Sequence, residues 1–282
     1  MALLALTLAL LAMAMATRAV EVVPLDMAQD SFDDQYRGCS TNMTKALPAL
    51  NRSEFQQNPL FAEAWPKATA KWQRRGSRVS PLSSPDQAIA LMTYTMNGLQ
   101  LYKNFNAAVR TAGRSPQEYR DNFHFKTLHF LLTQALVTLR DIQGLQCHNV
   151  YRGVDGVRFK AELGDIIRFG QFTSASQSEE TTRDFGNDTV FQMQTCYGVD
   201  IREFSSNPRE EEVLIPPFET FRVTNVTQEG DRALIQLCSS GTFSRYSCEW
   251  LRHDIIGKTW NTGTPTVGMR TPMIRGDNDT HR

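Results

Sequence analysis

Apolar side chains recur every three to four positions between Ser84 and Gly144, whereas beyond Gly144 they fall into short β-branched runs broken by Gly, Asn and Pro. Ser84-Pro85-Asp86-Gln87 has the order of a capping box with proline in the first turn: the Ser84 hydroxyl can accept the N3 amide while Gln87 reaches back. A helix is predicted from there, with Ala88, Leu91, Met92, Thr95, Met96 and Leu99 as its core stripe. Ser115-Pro116-Gln117-Glu118 repeats the order, and Leu128, Leu131, Leu132, Ala135, Leu136 and Leu139 continue at helical spacing until Gly144. His124 and His129 lie five apart, share no face, and read as structural residues. Upstream, Phe61, Trp65, Ala68 and Trp72 predict an amphipathic helix over 61–75 with Pro66 near its start. Residues 21–57, with Pro24, Gly38 and Pro48, predict an irregular leader with at most short helices.

The later runs predict strands at Asn149–Arg152, Asp165–Phe172, Val190–Cys196, Glu212–Ile215, Phe221–Val226 and Ala233–Cys238. Helices followed by strands argue for an α+β fold. We expect one unit over 20–282: a mainly helical lobe (20–145) packed on a β-rich lobe (146–260), then a polar tail (261–282). A cleft between the lobes is the natural site.

Composition narrows the function. The 282 residues carry 30 basic and 30 acidic side chains, and zero net charge argues against non-specific binding of nucleic acid, which needs a basic face. From Ala2 to Thr17 only Thr7 and Thr17 are polar, and small residues follow, so 1–19 read as a cleaved secretion signal. The polar end, 271–282, lacks the hydrophobic tail of a lipid-anchor signal. Sequons at Asn42, Asn51, Asn187, Asn225 and Asn278 agree with an extracellular, glycosylated, secreted chain with no stable membrane anchor. The five cysteines fit two disulfides and one leftover thiol. No C-x-x-C pair or H-E-x-x-H helix offers metal-ligand spacing, so no metal is expected.

Three places carry chemistry. Arg209-Glu210-Glu211-Glu212-Val213-Leu214-Ile215 reads as a strand with acids at its mouth; side chains two apart share a face, so Glu210 and Glu212 would project together and Glu211 away. A solvated edge is the plainer reading of that run. Arg152 beside Gly153 at a strand end offers a charged planar fork for phosphate with room for close approach, although an arginine taken alone is more often a surface ion pair. Ser174 and Ser176 share a side of an extended segment, where hydroxyls could orient a ribose or a carboxylate, or merely make a turn.

The order Arg, then F-x-S-x-S, then E-x-E resembles the arginine-specific mono-ADP-ribosyltransferases. Arg168-Phe169-Gly170-Gln171-Phe172-Thr173-Ser174 and Glu212-Val213-Leu214-Ile215-Pro216-Pro217-Phe218-Glu219 are similar to the vertebrate ecto-enzyme branch, and the anchor-free end to its secreted member. The resemblance implies an ADP-ribosyltransferase fold with a mixed β-sandwich, and NAD+ held in the cleft as substrate, with no prosthetic group and no Rossmann fingerprint. It implies that Arg152 holds the NAD+ phosphates with Gly153 beside it, that Ser174 orients the ribose and the catalytic acid, and that Glu212 is that acid. Glu210 would orient the arginine acceptor, and Arg183 and Phe185 lie where a loop could cover the nicotinamide. It further implies disulfides Cys147–Cys196 and Cys39 with Cys248 rather than Cys238. The expected partners are NAD+ and arginines of extracellular or cell-surface proteins, for an enzyme acting as a monomer. The alternatives are an NAD+ glycohydrolase, or a binding protein adhering through Arg275-Gly276-Asp277.

Overall fold

The computed structural model describes residues 20–182, 186–230 and 232–252. Its helices are α1 (Ser40–Gln57), α2 (Pro59–Arg74), α3 (Pro85–Thr95), α4 (Leu101–Ala112), α5 (Pro116–Asn122), α6 (Lys126–Gln143) and the single turn α7 (Glu179–Thr182). Its strands are β1 (Glu21–Pro24), β2 (His148–Val154), β3 (Val157–Lys160), β4 (Ile166–Ile167), β5 (Thr173–Ser176), β6 (Thr189–Thr195), β7 (Val199–Asp200), β8 (Glu212–Ile215), β9 (Glu219–Glu229) and β10 (Arg232–Thr242). Helices α1–α6 thus precede the large sheet, in keeping with an α+β fold.

The leader differs from its prediction, because α1 runs straight through Pro48. Met43, Leu50 and Glu54 are buried on it, against α6, and that packing outweighs the backbone cost of the proline. Helix α2 starts at Pro59, where the Asn58 side chain accepts from the Phe61 amide at 3.0 Å, so Pro66 lies in its interior instead of near its start. Ser84 caps α3 by accepting from the Gln87 amide at 3.4 Å, but Gln87 reaches back to the Ser83 amide at 2.9 Å, one residue beyond the N-cap amide that a full capping box engages. Every residue from Gln87 to Tyr94 is buried, so α3 is a core helix without a polar stripe. Gln100 in the left-handed region (φ 50°) then turns the chain into α4, which the periodicity did not reveal.

The helix predicted onward from Ser115 is two helices. Ser115 caps α5 by accepting from the Glu118 amide at 3.0 Å, and Phe123 and Phe125, both buried, lie in the break before α6. No residue of the break caps α6. Instead the Glu54 carboxylate of α1 accepts from the Lys126 and Thr127 amides at 2.5 and 2.9 Å, satisfying helix-terminal donors from a distant part of the chain.

The main sheet has the order β4-β9-β10-β6-β2-β5-β8-β7, mixed through the one parallel pair β10/β6, and β1/β3 form a separate parallel ribbon. Between β2 and β5 the ladder narrows to one register pair, Tyr151 with Ser176. The strands on either side of this joint pack face to face: Ala175, Val213 and Ile215 share a core with Phe191, Met193, Val223, Ile235 and Leu237. The β-sandwich is therefore one sheet folded at the β2/β5 joint.

The strand predicted over Asp165–Phe172 is mostly irregular. Arg168, fully buried, pairs with Asp33 at 2.5 Å and donates to the Met27 carbonyl at 2.9 Å. Gly170 adopts φ 61°, where a Cβ would come within 2.4 Å of the Ala28 Cβ. Both residues bend the segment onto the leader, leaving only Ile166–Ile167 and Thr173–Ser176 in strands.

Asp33 and Asp34 also hold the last described segment: Asp33 accepts from the Arg245 and Tyr246 amides and Asp34 from the Glu249 amide, all at 2.9–3.0 Å. Cys39–Cys248 and Cys147–Cys196 are bonded, and Cys238 is unpaired and half-buried. Asn42 and Asn187 are exposed, whereas Asn51 and Asn225 are half-buried. The segments 1–19 and 261–282, with Asn278 and Arg275–Asp277, lie outside the described residues. Among those described, no helix is long and apolar enough to cross a membrane.

Candidate active site

Arg152 is the fifth residue of β2, inside the strand and not at its end. Its Nη1 donates to the Ser174 carbonyl of β5 at 2.5 Å, which ties the two strands beside their single register pair. Burial pulls the guanidinium pKa down, and Tyr94, Tyr102 and Glu212 oppose that pull. Ser174 and Ser176 lie opposite Leu214 and Glu212 of β8.

Glu212 opens β8 and is buried. Its pKa is raised, foremost by burial; the hydroxyls of Ser174 and Ser205 oppose this, Glu210 adds to it, and Arg152 lowers it. The Ser205 hydroxyl, fully buried, donates to Glu212 Oε2 at 3.1 Å.

Glu210 does not share a strand with Glu212. It ends the 3₁₀ turn Pro208–Glu210, and Glu211 follows in the left-handed region at φ 46°. The proline starts a turn where the acid run alone reads as extended chain. The two carboxylates still line the same cavity, and Glu211 lies 3.5 Å from Arg202. The Asn207 side chain donates to Glu210 Oε1 at 2.7 Å.

The cavity has a volume of about 570 Å³, within the usual range for small-molecule sites, and both lobes build it. The helical lobe contributes Tyr94, Tyr102, Lys103, Asn106 and Arg110; the β lobe contributes Tyr151, Arg152, Gly153, Ser174, Ser176, Glu210 and Glu212. Tyr94 donates to the Phe172 carbonyl at 2.8 Å, and its pKa is pushed up to about 12, foremost by burial. The structure thus brings together Arg152, Gly153, Ser174, Glu210 and Glu212. Arg183 and Phe185 lie outside the described residues.

Sequence reasoning missed Ser205 and Asn207, because nothing in Phe204-Ser205-Ser206-Asn207 distinguishes them from a polar turn. It also missed the helical-lobe wall: Tyr94 sits within an apolar run, and Asn106 on a helix that was not predicted. A cationic fork, a hydroxyl and two carboxylates around one cavity can hold phosphates, orient a sugar and stabilise a developing cation.

The profile of the family described as NAD:arginine ADP-ribosyltransferase matches residues 25–245. The chain is 53% identical to the erythroblast NAD(P)(+)--arginine ADP-ribosyltransferase of Gallus gallus, over 83% of this chain and 78% of that one. It is 49% identical to the GPI-linked NAD(P)(+)--arginine ADP-ribosyltransferase 1 of Mus musculus, with the same shares being 88% and 78%. With the ecto-ADP-ribosyltransferase 5 of Homo sapiens the identity is 41%, over 89% of this chain and 90% of the other. The fold is similar to the crystal structure of the eukaryotic mono-ADP-ribosyltransferase ART2.2, at a TM-score of 0.70 and 36% identity, covering 80% of this chain and 98% of that one. A mutant of ART2.2 in complex with NAD matches equally well.

Proposed function

The chain belongs to the NAD:arginine ADP-ribosyltransferase family, and from that premise we propose that its cavity cleaves the nicotinamide-ribose bond of NAD+ and transfers ADP-ribose to arginine. The observation that carries this reading is the convergence of Arg152, Ser174, Glu210 and Glu212 on one cavity from β2, β5, a turn and β8.

Arg152 holds the pyrophosphate through charge and its forked donors. Ser174 orients the nicotinamide ribose and Glu212. As the C1′–N bond breaks, its electron pair goes to the nicotinamide nitrogen, neutral nicotinamide leaves, and positive charge develops on the ribose. A carboxylate fixed beforehand at Glu212 stabilises that charge more than it stabilises bound NAD+. A guanidino nitrogen of the acceptor then bonds to C1′, and its proton passes to Glu210. Water in place of the guanidinium gives free ADP-ribose.

The two disulfides and the exposed sequons at Asn42 and Asn187 support an extracellular enzyme acting on arginines of extracellular or cell-surface proteins. Secretion after removal of residues 1–19 is part of this proposal; its test is recovery of active protein in the medium without phospholipase treatment.

The catalytic test is product analysis with labelled NAD+ and an arginine analogue. Glu212→Gln is expected to abolish both nicotinamide release and transfer; Glu210→Gln, to abolish transfer while NAD+ hydrolysis persists. Full transfer by Glu210→Gln would remove its acceptor role, and an absence of nicotinamide release by the wild-type enzyme would overturn the function itself.

A further inference from the structure

The two acids of the site are joined to each other by a short hydrogen-bonded path through Ser205 and Asn207. The Ser205 hydroxyl donates to Glu212 Oε2 at 3.1 Å and accepts from the Asn207 amide at 3.2 Å. A hydroxyl has one proton to give, so the Asn207 amide leaves Ser205 a single role, donation to Glu212. The side chain of the same Asn207 donates to Glu210 Oε1 at 2.7 Å. One residue therefore serves both carboxylates, through its backbone toward Glu212 and its side chain toward Glu210.

The path is anchored at four further points. The Ser205 amide donates to the Ile201 carbonyl at 2.8 Å, and the Ile201 amide to the Glu212 carbonyl at 3.0 Å, so the turn is laced to the start of β8. Arg75, following α2, donates to the Ser205 carbonyl, and the Ser206 amide donates to the Thr95 hydroxyl at the end of α3 at 2.8 Å. Lys71 of α2 donates to the Ser206 hydroxyl at 3.0 Å. The helical lobe thus fixes the height of the turn whose Ser205 and Asn207 bond to the two acids.

We propose that Ser205 and Asn207 are positioning residues of the transfer reaction: Ser205 aims the carboxylate that cleaves NAD+, and the Asn207 side chain holds the carboxylate that receives arginine in register with it. The proposal rests on the functional reading above. It makes the partition between transfer and hydrolysis a property of Asn207, and the state of Glu212 a property of Ser205. The ionisable groups facing Glu212 are Arg152 of β2, Tyr94 of α3 and Glu210 of the turn; Ser174 and Ser205 are the uncharged hydroxyls among them.

The experiment measures nicotinamide release, free ADP-ribose and ADP-ribosylated arginine analogue across pH for the wild type, Asn207→Ala, Ser205→Ala and Ser205→Thr. The ratio of transfer to hydrolysis does not depend on how much enzyme is folded. For Asn207→Ala this ratio is expected to fall about tenfold, the scale of one hydrogen bond to a charged group. For Ser205→Ala the rate of nicotinamide release is expected to fall by a similar factor, with the acidic limb of the pH profile moving upward, and Ser205→Thr restores both. A wild-type ratio in Asn207→Ala, or an unmoved acidic limb in Ser205→Ala, overturns the corresponding half. These outcomes stand apart from failure of the function itself, which would appear as a wild-type enzyme that releases no nicotinamide.

Discussion

The single guanidinium of Arg152 is asked to do two things. One nitrogen holds the Ser174 carbonyl, and the rest of the fork remains for the substrate. Lysine offers a point charge without the planar geometry, so Arg152→Lys is expected to lower kcat/KM for NAD+ about ten- to hundredfold while thermal stability changes little. The raised pKa of Glu212 gives activity a defined sign with pH. The acid must be ionised to stabilise the ribosyl cation, so nicotinamide release falls as pH drops through a value above the ordinary carboxylate pKa. His129 sets a separate acid limit, on stability. Its Nε2 faces the Phe32 carbonyl at 3.3 Å and Nδ1 the Tyr36 hydroxyl at 2.8 Å. Nδ1 is then an acceptor and the ring neutral, with its pKa pushed down by burial from 6.5 to about 3. The unfolded chain binds this proton first. Stability is therefore full above pH 6.5 and lost as pH falls from there toward about 3, by at most about 1.4 kcal/mol per pH unit. Urea midpoints between about pH 7.5 and 5 would record the slope, and His129→Gln should flatten it.

Among the elements, α6 depends on a residue that no local rule would select. Glu54→Ala removes the acceptor of two backbone amides and is expected to cost about 2–4 kcal/mol, and Glu54→Gln about half that, since one oxygen remains. Urea unfolding of the two variants checks the order. This cap also explains where the sequence could and could not be read. Starts of α3 and α5 were legible because Ser84 and Ser115 cap them from within three residues. The start of α6 was not, because its cap comes from α1. Pro48 misled for the same reason, since burial of Met43 and Leu50 is a tertiary fact. The strands β6, β8 and β10 were legible from their β-branched runs, whereas Asp165–Phe172 was broken by the contact of Arg168 with Asp33. At the site, the ordered Arg, Ser and Glu signals were visible, but the geometry of Glu210 depended on the turn that Pro208 begins. Ser205 and Asn207 acquire meaning only from what they touch.

For the molecule as a whole, the leader and the end of the described chain are held together across the lobes. Cys39–Cys248 spans 209 residues, and in the chain-entropy model such a closure is worth on the order of 5 kcal/mol. Replacing both cysteines by alanine should lower Tm by on the order of 10 °C, measured by calorimetry. The same replacement should leave the transfer-to-hydrolysis ratio untouched, since the cavity is lined by residues between Tyr94 and Glu212 and neither the leader nor the segment around Cys248 contributes to it. The joint between β2 and β5 has the opposite character. Ladders of seven and four register pairs flank it, yet only Tyr151 and Ser176 pair across it, so its backbone amides have little to slow their opening. A dinucleotide held between Arg152 on one side and Ser174 and Glu212 on the other would act as a rung in that gap. NAD+ should then slow amide hydrogen exchange at Gly153 and Ala175 more than in the β9/β10 hairpin, making the seam of the sheet the place where binding is written into the protein's local motion.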